Sequence, residues 1–493
     1  MKAIRITAED LVAVCLEEIK PGERITVDGI ELCAVDAVPP GHKIALFNIK
    51  KGENVIKYAH SIGSATIDIP KGSHVHTHNL KSNLGELKTY EYAPNFTFPQ
   101  ATEPLSFRGY RRKDGKVGIR NEIWIIPTVG CAVQSARQIE KLASDLDQSG
   151  TDGVYCYTHS YGCSQLGDDQ NMTLDLLAGL AKHPNAAGVL ILGLGCENAH
   201  IGLLKEKLGE YDSDRIKFLV CQDVEDEIQE GLKLVEELLS FAKGFKREPC
   251  PSSELIIGLK CGGSDGFSGI SANAVIGRVT DKLISQGGSA VLTEVPEMFG
   301  AETVLMKRCI TRELFEKTVD MINGFKKYFM RYGEKINENP SPGNKLGGIS
   351  TLEDKSLGCI QKGGKAPVCD VLPYAGTVTK KGLSLMCAPG NDLVSSTALA
   401  ASGAHLVLFA TGRGTPFACP VPTVKISSNT TLAEKKKAWI DFNAGTVLNG
   451  NPMDCAAQEL FSLIIHVASG EKRAKAEAFD KHELAIFKDG VTL

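Results

Sequence analysis

The chain has 493 residues, 43% hydrophobic and 23% charged, the balance of a folded protein with several cores rather than a disordered or fibrous one. Its net charge is −4, and with no dense Lys/Arg tract the composition argues against a nucleic-acid partner. No apolar run reaches the roughly 18 residues that span a bilayer, and the N-terminal MKAIRITAEDLVAVCLEEIK mixes acids and bases where a signal peptide needs an apolar stretch; a cytoplasmic protein that does not enter membranes is expected.

Residues 1–80 read as a small β-rich module. Short β-prone runs, Arg24–Val27, Lys43–Phe47 and Ala65–Ile69, are separated by the turn signals Pro21-Gly22, Asp28-Gly29, Pro39-Pro40-Gly41, Lys51-Gly52 and Pro70-Lys71-Gly72. Residues 81–108, with Pro94, Pro99 and Pro104, read as a linker. From Asn121 onward, apolar runs alternate with helical patterns. The runs are Ile123–Pro127, Val154–Tyr157, Gly188–Leu192, Lys217–Val220, Leu255–Leu259 and Ala290–Leu292, and the helices are expected near 133–147, 170–182, 224–243 and 271–286. Continuous apolar strands between helices predict an α/β region with a mostly parallel sheet covered on both faces. The loop-like NENPSPGNKLGG at 337–348 divides a first α/β region, 109–340, from a second, 341–493, with strands near His405–Ala410 and Thr423–Ile426.

No C-x-x-C, H-E-x-x-H, EF-hand or Walker A pattern is present, so a metal site has to be assembled from distant segments. Four strand ends carry a cysteine: PTVGC at Cys131, HSYGC at Cys163, GLGC at Cys196 and GLKCGG at Cys261. Ligands of open α/β sheets bind outside the carboxyl ends of the strands, so four thiols there suggest function against the plainer reading of small core cysteines. Strand alternation puts His74, His76 and His78 of SHVHTHN on one face, as nitrogen ligands for a metal or as a solvated strand face. THSYGCSQLGDD offers His159, Tyr161, a thiol and two carboxylates at one strand end, an acid–base inventory. Cys261-Gly262-Gly263-Ser264-Asp265-Gly266 matches G-x-S-x-G between a strand and a helix; as an anion cradle at a helix start it outweighs a nucleophile elbow, since no HGGG segment accompanies it. GLGCEN at 193–198 and GRGTP at 412–416 lack the last glycine of a dinucleotide loop, and Arg413 reads as a fork for a carboxylate or as a surface ion-pair partner.

Longer strings resemble one family. GHKIALFNIKKGENVIKYAHSIGSA with HVHTHN, RKDGKVGIRNEIWIIPTVGC, HSYGCSQLGDD, HPNAAGVLILGLGCEN, CGGSDGFSGISAN, LTEVPEMFGAE, NPSPGNKLGGISTLEDKSLGC, APGND, FATGRGTP and ELAIFKDGVTL are similar to the altronate/galactarate dehydratase family across essentially the whole chain. The tail pieces resemble the altronate branch more than the galactarate branch, and Ala59-His60 departs from the glycine the family usually shows after the tyrosine. The resemblance implies an SAF-type N-terminal module and a hydro-lyase of hexuronate breakdown that converts D-altronate to 2-dehydro-3-deoxy-D-gluconate. It also implies ferrous or manganous ion as cofactor, with a small sugar acid as the partner molecule; a homo-oligomer is compatible with it. His76, His78, Asn79, His159, Cys163, Cys196, Glu197, Cys261 and Arg413 fall in the matching strings. On this reading His76 and His78 hold the metal. His159, Tyr161 and Glu197 do the acid–base work, and Asn79, Gly262, Gly263, Ser264, Asp265 and Arg413 hold the substrate. A competing metal site uses Cys131, Cys163, Cys196 and Cys261 for iron or an iron–sulfur cluster. The alternatives are dehydration of a related acid such as galactarate, a serine hydrolase with Ser264 and His405, His466 or His482, and a carbohydrate-binding protein.

Overall fold

The structure, a computed structural model, describes residues 2–85, 87–479 and 484–493; His482 lies outside them. The N-terminal module is a set of short antiparallel strands. Ala3–Ile4, Val12–Cys15, Lys43–Ala45 and His74–Val75 form one sheet, beside the hairpins Arg24–Val27 with Ile30–Cys33 and Asn54–Lys57 with His60–Ala65. One pattern recurs four times, an aliphatic residue, a glycine three residues on and a second aliphatic three further: Ile19/Gly22/Ile25, Val38/Gly41/Ile44, Ile49/Gly52/Val55 and Ile69/Gly72/Val75. The four glycines all take a φ between 80° and 88°, and every aliphatic is buried. The leading ones pair in antiparallel bridges, Ile19 with Val38 and Ile49 with Ile69. The expected strand Ala65–Ile69 is therefore shifted: the strand ends at Ala65, and Ile69 makes a bridge before the Pro70-Lys71-Gly72 turn.

Residues 87–105 have no regular structure and are anchored by aromatic residues. The Tyr90 hydroxyl donates to Glu302 at 2.6 Å, and the Tyr92 ring packs at a tilt 5.4 Å from Phe315.

Two parallel sheets follow. The first contains β1 (Glu122–Pro127), β2 (Gly153–Cys156), β3 (Ala186–Gly193) and β4 (Ile216–Val220) in the order β2-β1-β3-β4. Helices α1 (Val133–Ala143), α2 (Gly167–Ala181) and α3 (Glu227–Ala242) cover it. β1 and β3 are buried at every residue, as their unbroken apolar runs require.

The second sheet contains β5 (Ile256–Cys261), β6 (Ser289–Leu292), β7 (Val368–Leu372), β8 (Gly382–Met386), β9 (Leu406–Thr411), β10 (Thr423–Ser427) and β11 (Phe442–Asn443) in the order β7-β8-β6-β5-β9-β10-β11, all parallel. It takes strands from both sides of residue 340, so the division expected there does not separate two sheets. Segment 337–348 is a surface connection holding the short helix Pro342–Leu346. The strand order reverses between β1 and β3 in the first sheet and between β5 and β9 in the second, the places where an open α/β sheet presents a crevice. Among the described residues, no helix is long and apolar enough to cross a membrane.

Candidate active site

The histidines of SHVHTHN do converge, by a route other than strand alternation. The strand is two residues long, His74–Val75, and a turn follows. Asn79 makes that turn: its Oδ1 accepts the His76 N–H at 2.9 Å and its Nδ2 donates to the His74 carbonyl at 2.8 Å. The Asn79 amide thus shapes the histidine loop, which is its role here in place of the expected substrate contact. The ring of His74 lies 5.5 Å from His76 and 5.2 Å from His78.

A fourth ring, His42, stands 4.8 Å from His76 and 5.1 Å from His74. Sequence reading missed it. The signal was the internal repeat, which sets Gly41-His42-Lys43-Ile44 against Gly72-Ser73-His74-Val75; the two segments then pair antiparallel with Ile44 opposite His74. His42 Nε2–H donates to the Leu346 carbonyl (3.3 Å), so its Nδ1 accepts from His74 Nε2–H (3.0 Å). Burial lowers all three pKa values, His74 to about 4 and His76 to about 3, with His42 and Lys43 adding to the effect. The rings are neutral at pH 7; His74 and His76 each keep a nitrogen lone pair able to ligate, whereas both nitrogens of His42 are bonded. His76 Nδ1 is buried and has no hydrogen-bond partner among the described residues.

This module docks onto the strand ends of the second sheet at its reversal point. Gly41 packs on the Gly262–Gly266 loop so closely that a Cβ on Gly266 would stand 1.9 Å from the Gly41 carbonyl oxygen. Beside it, Lys43 Nζ donates to Gly348 O and Asp354 Oδ2, both at 2.8 Å, and Lys57 Nζ donates to Asp354 Oδ1 at 2.9 Å. All three charges are buried. Burial alone raises the Asp354 pKa, but the two ammoniums outweigh it and hold the carboxyl well below the usual range.

At the reversal point the Gly263 carbonyl accepts the N–H groups of Gly412 and Arg413, each at 3.0 Å. Arg413 is exposed, and its Nη1 donates to Gly343 O at 3.2 Å. Segment 343–348 therefore connects Arg413 with His42. Asp265 is a strut: its carboxylate accepts from Ser268 and Ser428 (2.8 Å each) and from Asn429 (3.0 Å), which leaves it bracing loops in place of binding substrate. Ser264 is buried, and its carbonyl accepts from Asn344 at 2.8 Å. Among the described residues a hydrolase triad is not formed. His405 sits at the opposite end of β5, its Nδ1 accepting the Ile256 N–H, roughly 16 Å along the strand from Cys261. His466 is exposed and bonded to Glu471.

The expected acid–base residues lie elsewhere, at the strand ends of the first sheet. His159 Nε2–H donates to Pro127 O (2.7 Å) and its Nδ1 accepts the Tyr161 N–H (3.1 Å), so both nitrogens are committed to backbone; burial lowers its pKa to about 4. Glu197 is likewise committed, accepting from Thr128 Oγ1 (2.6 Å), Leu194 N (3.1 Å) and Gly195 N (2.6 Å). As placed, neither offers a free proton or lone pair to a substrate. Tyr161 borders a crevice of about 600 Å³ with Cys131, Cys163, Arg137 and Leu393.

Cys261 does not join the other three thiols. It is buried at the end of β5 with its sulfur 3.5 Å from Cys359 Sγ and 3.2 Å from Glu297 Oε2; Cys359 Sγ is 3.1 Å from the same oxygen. This is the one group of three close metal-type donors among the described residues. It fits a cation poorly. Lys362 Nζ is 2.8 Å from Cys261 Sγ, Lys355 Nζ is 2.7 Å from Glu297, and Lys260 is paired with Glu294 and Asp392. Three buried ammoniums already neutralise the acids and repel a further positive charge.

Three family models cover the chain: the altronate/galactarate dehydratase SAF domain at residues 1–83, the D-galactarate dehydratase/altronate hydrolase second domain at 109–243, and the D-galactarate/altronate dehydratase C-terminal domain at 252–492. The chain is 51% identical to altronate dehydratase of Bacillus subtilis (strain 168) over 99% of both chains, and 50% identical to altronate dehydratase of Escherichia coli (strain K12) over 100% of both. It is 32% identical to the L-threo-forming galactarate dehydratase of Escherichia coli (strain K12), over 98% of this chain and 96% of that one. The three models together span nearly the whole chain and the relatives match it over its full length, and the chain belongs to the altronate/galactarate dehydratase family.

Proposed function

We propose that this chain removes water from D-altronate to give 2-dehydro-3-deoxy-D-gluconate. The observation that carries the reading is the identity to two altronate dehydratases, 51% and 50% over the full length, against 32% to galactarate dehydratase. The reaction removes the hydrogen beside the carboxylate and expels the neighbouring hydroxyl. That hydrogen is weakly acidic because its carbanion adjoins an existing negative charge.

His74, His76 and His78 are the rings that would hold a divalent ion, ferrous or manganous, with His42 bonded behind His74: the centroids of His76 and His78 lie 5.5 and 5.2 Å from that of His74, His74 and His76 are held neutral, and the buried His76 Nδ1 is unused. When bound, such an ion supplies Lewis-acid neutralisation of the developing charge. The chain's own contribution is placement. Arg413, at the rim of the Gly262–Ser264 turn, is the cation set to hold a carboxylate. Anaerobic incubation of D-altronate with the protein and ferrous ion should yield a 2-keto-3-deoxy acid, and chelator should abolish it. Turnover of galactarate but not altronate would move the substrate; inertness toward every sugar acid would sink the reading.

The docking of Gly41 on Gly266 adds a second expected result. In Gly266→Ala the new methyl pushes the histidine module off the strand ends, and a shift of about 1 Å costs on the order of 100-fold in kcat/KM. Far-UV circular dichroism should stay unchanged. Wild-type kcat/KM in this variant would show that the seam is not where turnover occurs.

A further inference from the structure

Three thiols at the strand ends of the first sheet have no part in the reading above. Cys131, Cys163 and Cys196 each follow a glycine, in the turns after β1, β2 and β3, three adjacent strands. All three are exposed and free. Their sulfurs make two long contacts, Cys163 with Ser164 at 3.8 Å and Cys196 with the Gln222 amide at 3.7 Å. The loops that carry them are nevertheless locked together. Gly130 N–H donates to Tyr161 O (2.8 Å), Ser164 N–H to Asn198 Oδ1 (2.8 Å), Ala199 N–H to Gly162 O (2.9 Å), and Thr128 Oγ1–H to Glu197 Oε1 (2.6 Å). A Cβ on Gly162, whose φ is +99°, would stand 2.0 Å from the Thr128 carbonyl oxygen, so the turn after β2 is pressed directly onto the end of β1.

We propose that Cys131, Cys163 and Cys196 ligate an iron–sulfur cluster of the four-iron type. Thiolates are soft ligands that select such clusters over hard divalent ions. As placed, the three sulfurs do not close on a single ion. Around one metal with bonds near 2.3 Å, sulfurs lie within roughly 4 Å of one another. Among the described residues, these three do not form a group of donors that close. A cube whose irons carry thiolates at separate corners takes the wider arrangement.

Local charge agrees with an anionic centre. Cys131 lies in the 3-10 turn Gly130–Ala132 that runs into α1, where free N–H groups and the helix dipole attract an anion, and Arg137 lines the same crevice. The strand-end cysteine of β4, Cys221, differs. It packs against the hydrophobic cluster under that sheet, and burial pushes its thiol up to about 11. Three protein thiolates leave one iron to a non-protein oxygen ligand, and the 600 Å³ crevice beside Cys131 and Cys163 has room for a small hydroxy acid.

The proposal stands independently of the dehydration reading, because its test reads iron and sulfide rather than turnover. The full-length protein, purified anaerobically and reconstituted with ferrous ion and sulfide, should hold about four sulfide per chain and about four iron beyond the one ion at the histidines, and absorb broadly near 400 nm. Cys131→Ser, Cys163→Ser and Cys196→Ser should each lose most of both, with unchanged circular dichroism. Cys221→Ser, Cys261→Ser and the His76→Ala/His78→Ala double variant should keep them. Iron without sulfide, no uptake by the wild type, or full retention in the Cys131/Cys163/Cys196 triple variant would overturn it.

Discussion

Asp354→Asn is expected to destabilise the protein by about 3–5 kcal/mol, because it leaves the buried Lys43 and Lys57 ammoniums without a counter-charge. The carboxylate also accepts the Ser350 N–H and hydroxyl, each at 3.1 Å, so the same change loosens the turn that enters helix Leu352–Cys359. Thermal melts of the variant should show the N-terminal module separating before the parallel sheets. An apolar replacement of all three charges, Lys43→Met with Lys57→Met and Asp354→Leu, should recover most of the loss, since uncompensated charge rather than missing attraction is the main cost. A melt indistinguishable from wild type in Asp354→Asn would refute this account of the seam.

The same triad gives the acid limb of stability a sign. Asp354 is depressed in the folded state, so its contribution is fully present above the unfolded carboxylate pKa of about 3.9 and is lost as pH falls below it. His74, His76 and His159 are depressed as well, to about 4, 3 and 4. Against an unfolded value of about 6.5, each withdraws stability as pH falls from 6.5 toward 4. The loss should therefore begin near pH 6.5 in the wild type and steepen below 4. In Asp354→Asn the lower step should be diminished while the upper one remains.

What the sequence disclosed follows from which forces leave a periodic trace. Strands buried on both faces, such as Glu122–Pro127 and Ala186–Gly193, appear as unbroken apolar runs and are placed to within two residues. Val368–Leu372, VCDVL, alternates between buried and half-buried with Asp370 in its middle, and nothing in its composition separates it from a loop. The site is harder to read for a different reason. Asn79, Glu197 and Asp265 sit in conspicuous motifs, yet their oxygens are spent on bracing turns and loops, for Asp265 one 163 residues away, and such bonds depend on geometry that no spacing encodes. The buried Lys43, Lys57, Lys260 and Lys362 are opaque too, since an isolated lysine reads as surface until its partner, here up to 311 residues away, is known. The strand-end cysteines were visible as a class, but their division between two sheets depends on strand order, which sequence alone does not contain.

His76→Ala with His78→Ala should abolish tight binding of one ferrous or manganous ion and lower kcat by at least about 100-fold, the larger of the two effects on function. The expectation rests on how the four rings are held. His42 and His74 are anchored through Leu346 and through each other, whereas the His76 Nδ1 lone pair is buried and uncommitted. Removing His76 therefore takes away the nitrogen whose burial has no other compensation. Because burial keeps His74 and His76 unprotonated down to about pH 4 and 3, metal retention measured by equilibrium dialysis should hold across pH 6 to 8 instead of falling as ordinary imidazoles titrate near 6.5. His42→Ala should weaken metal binding only through His74, whose Nε2–H loses its acceptor, and so by less than the double variant. Full metal content and turnover in the double variant would remove the histidine cluster from the reaction and direct attention to the thiol-lined crevice of the first sheet.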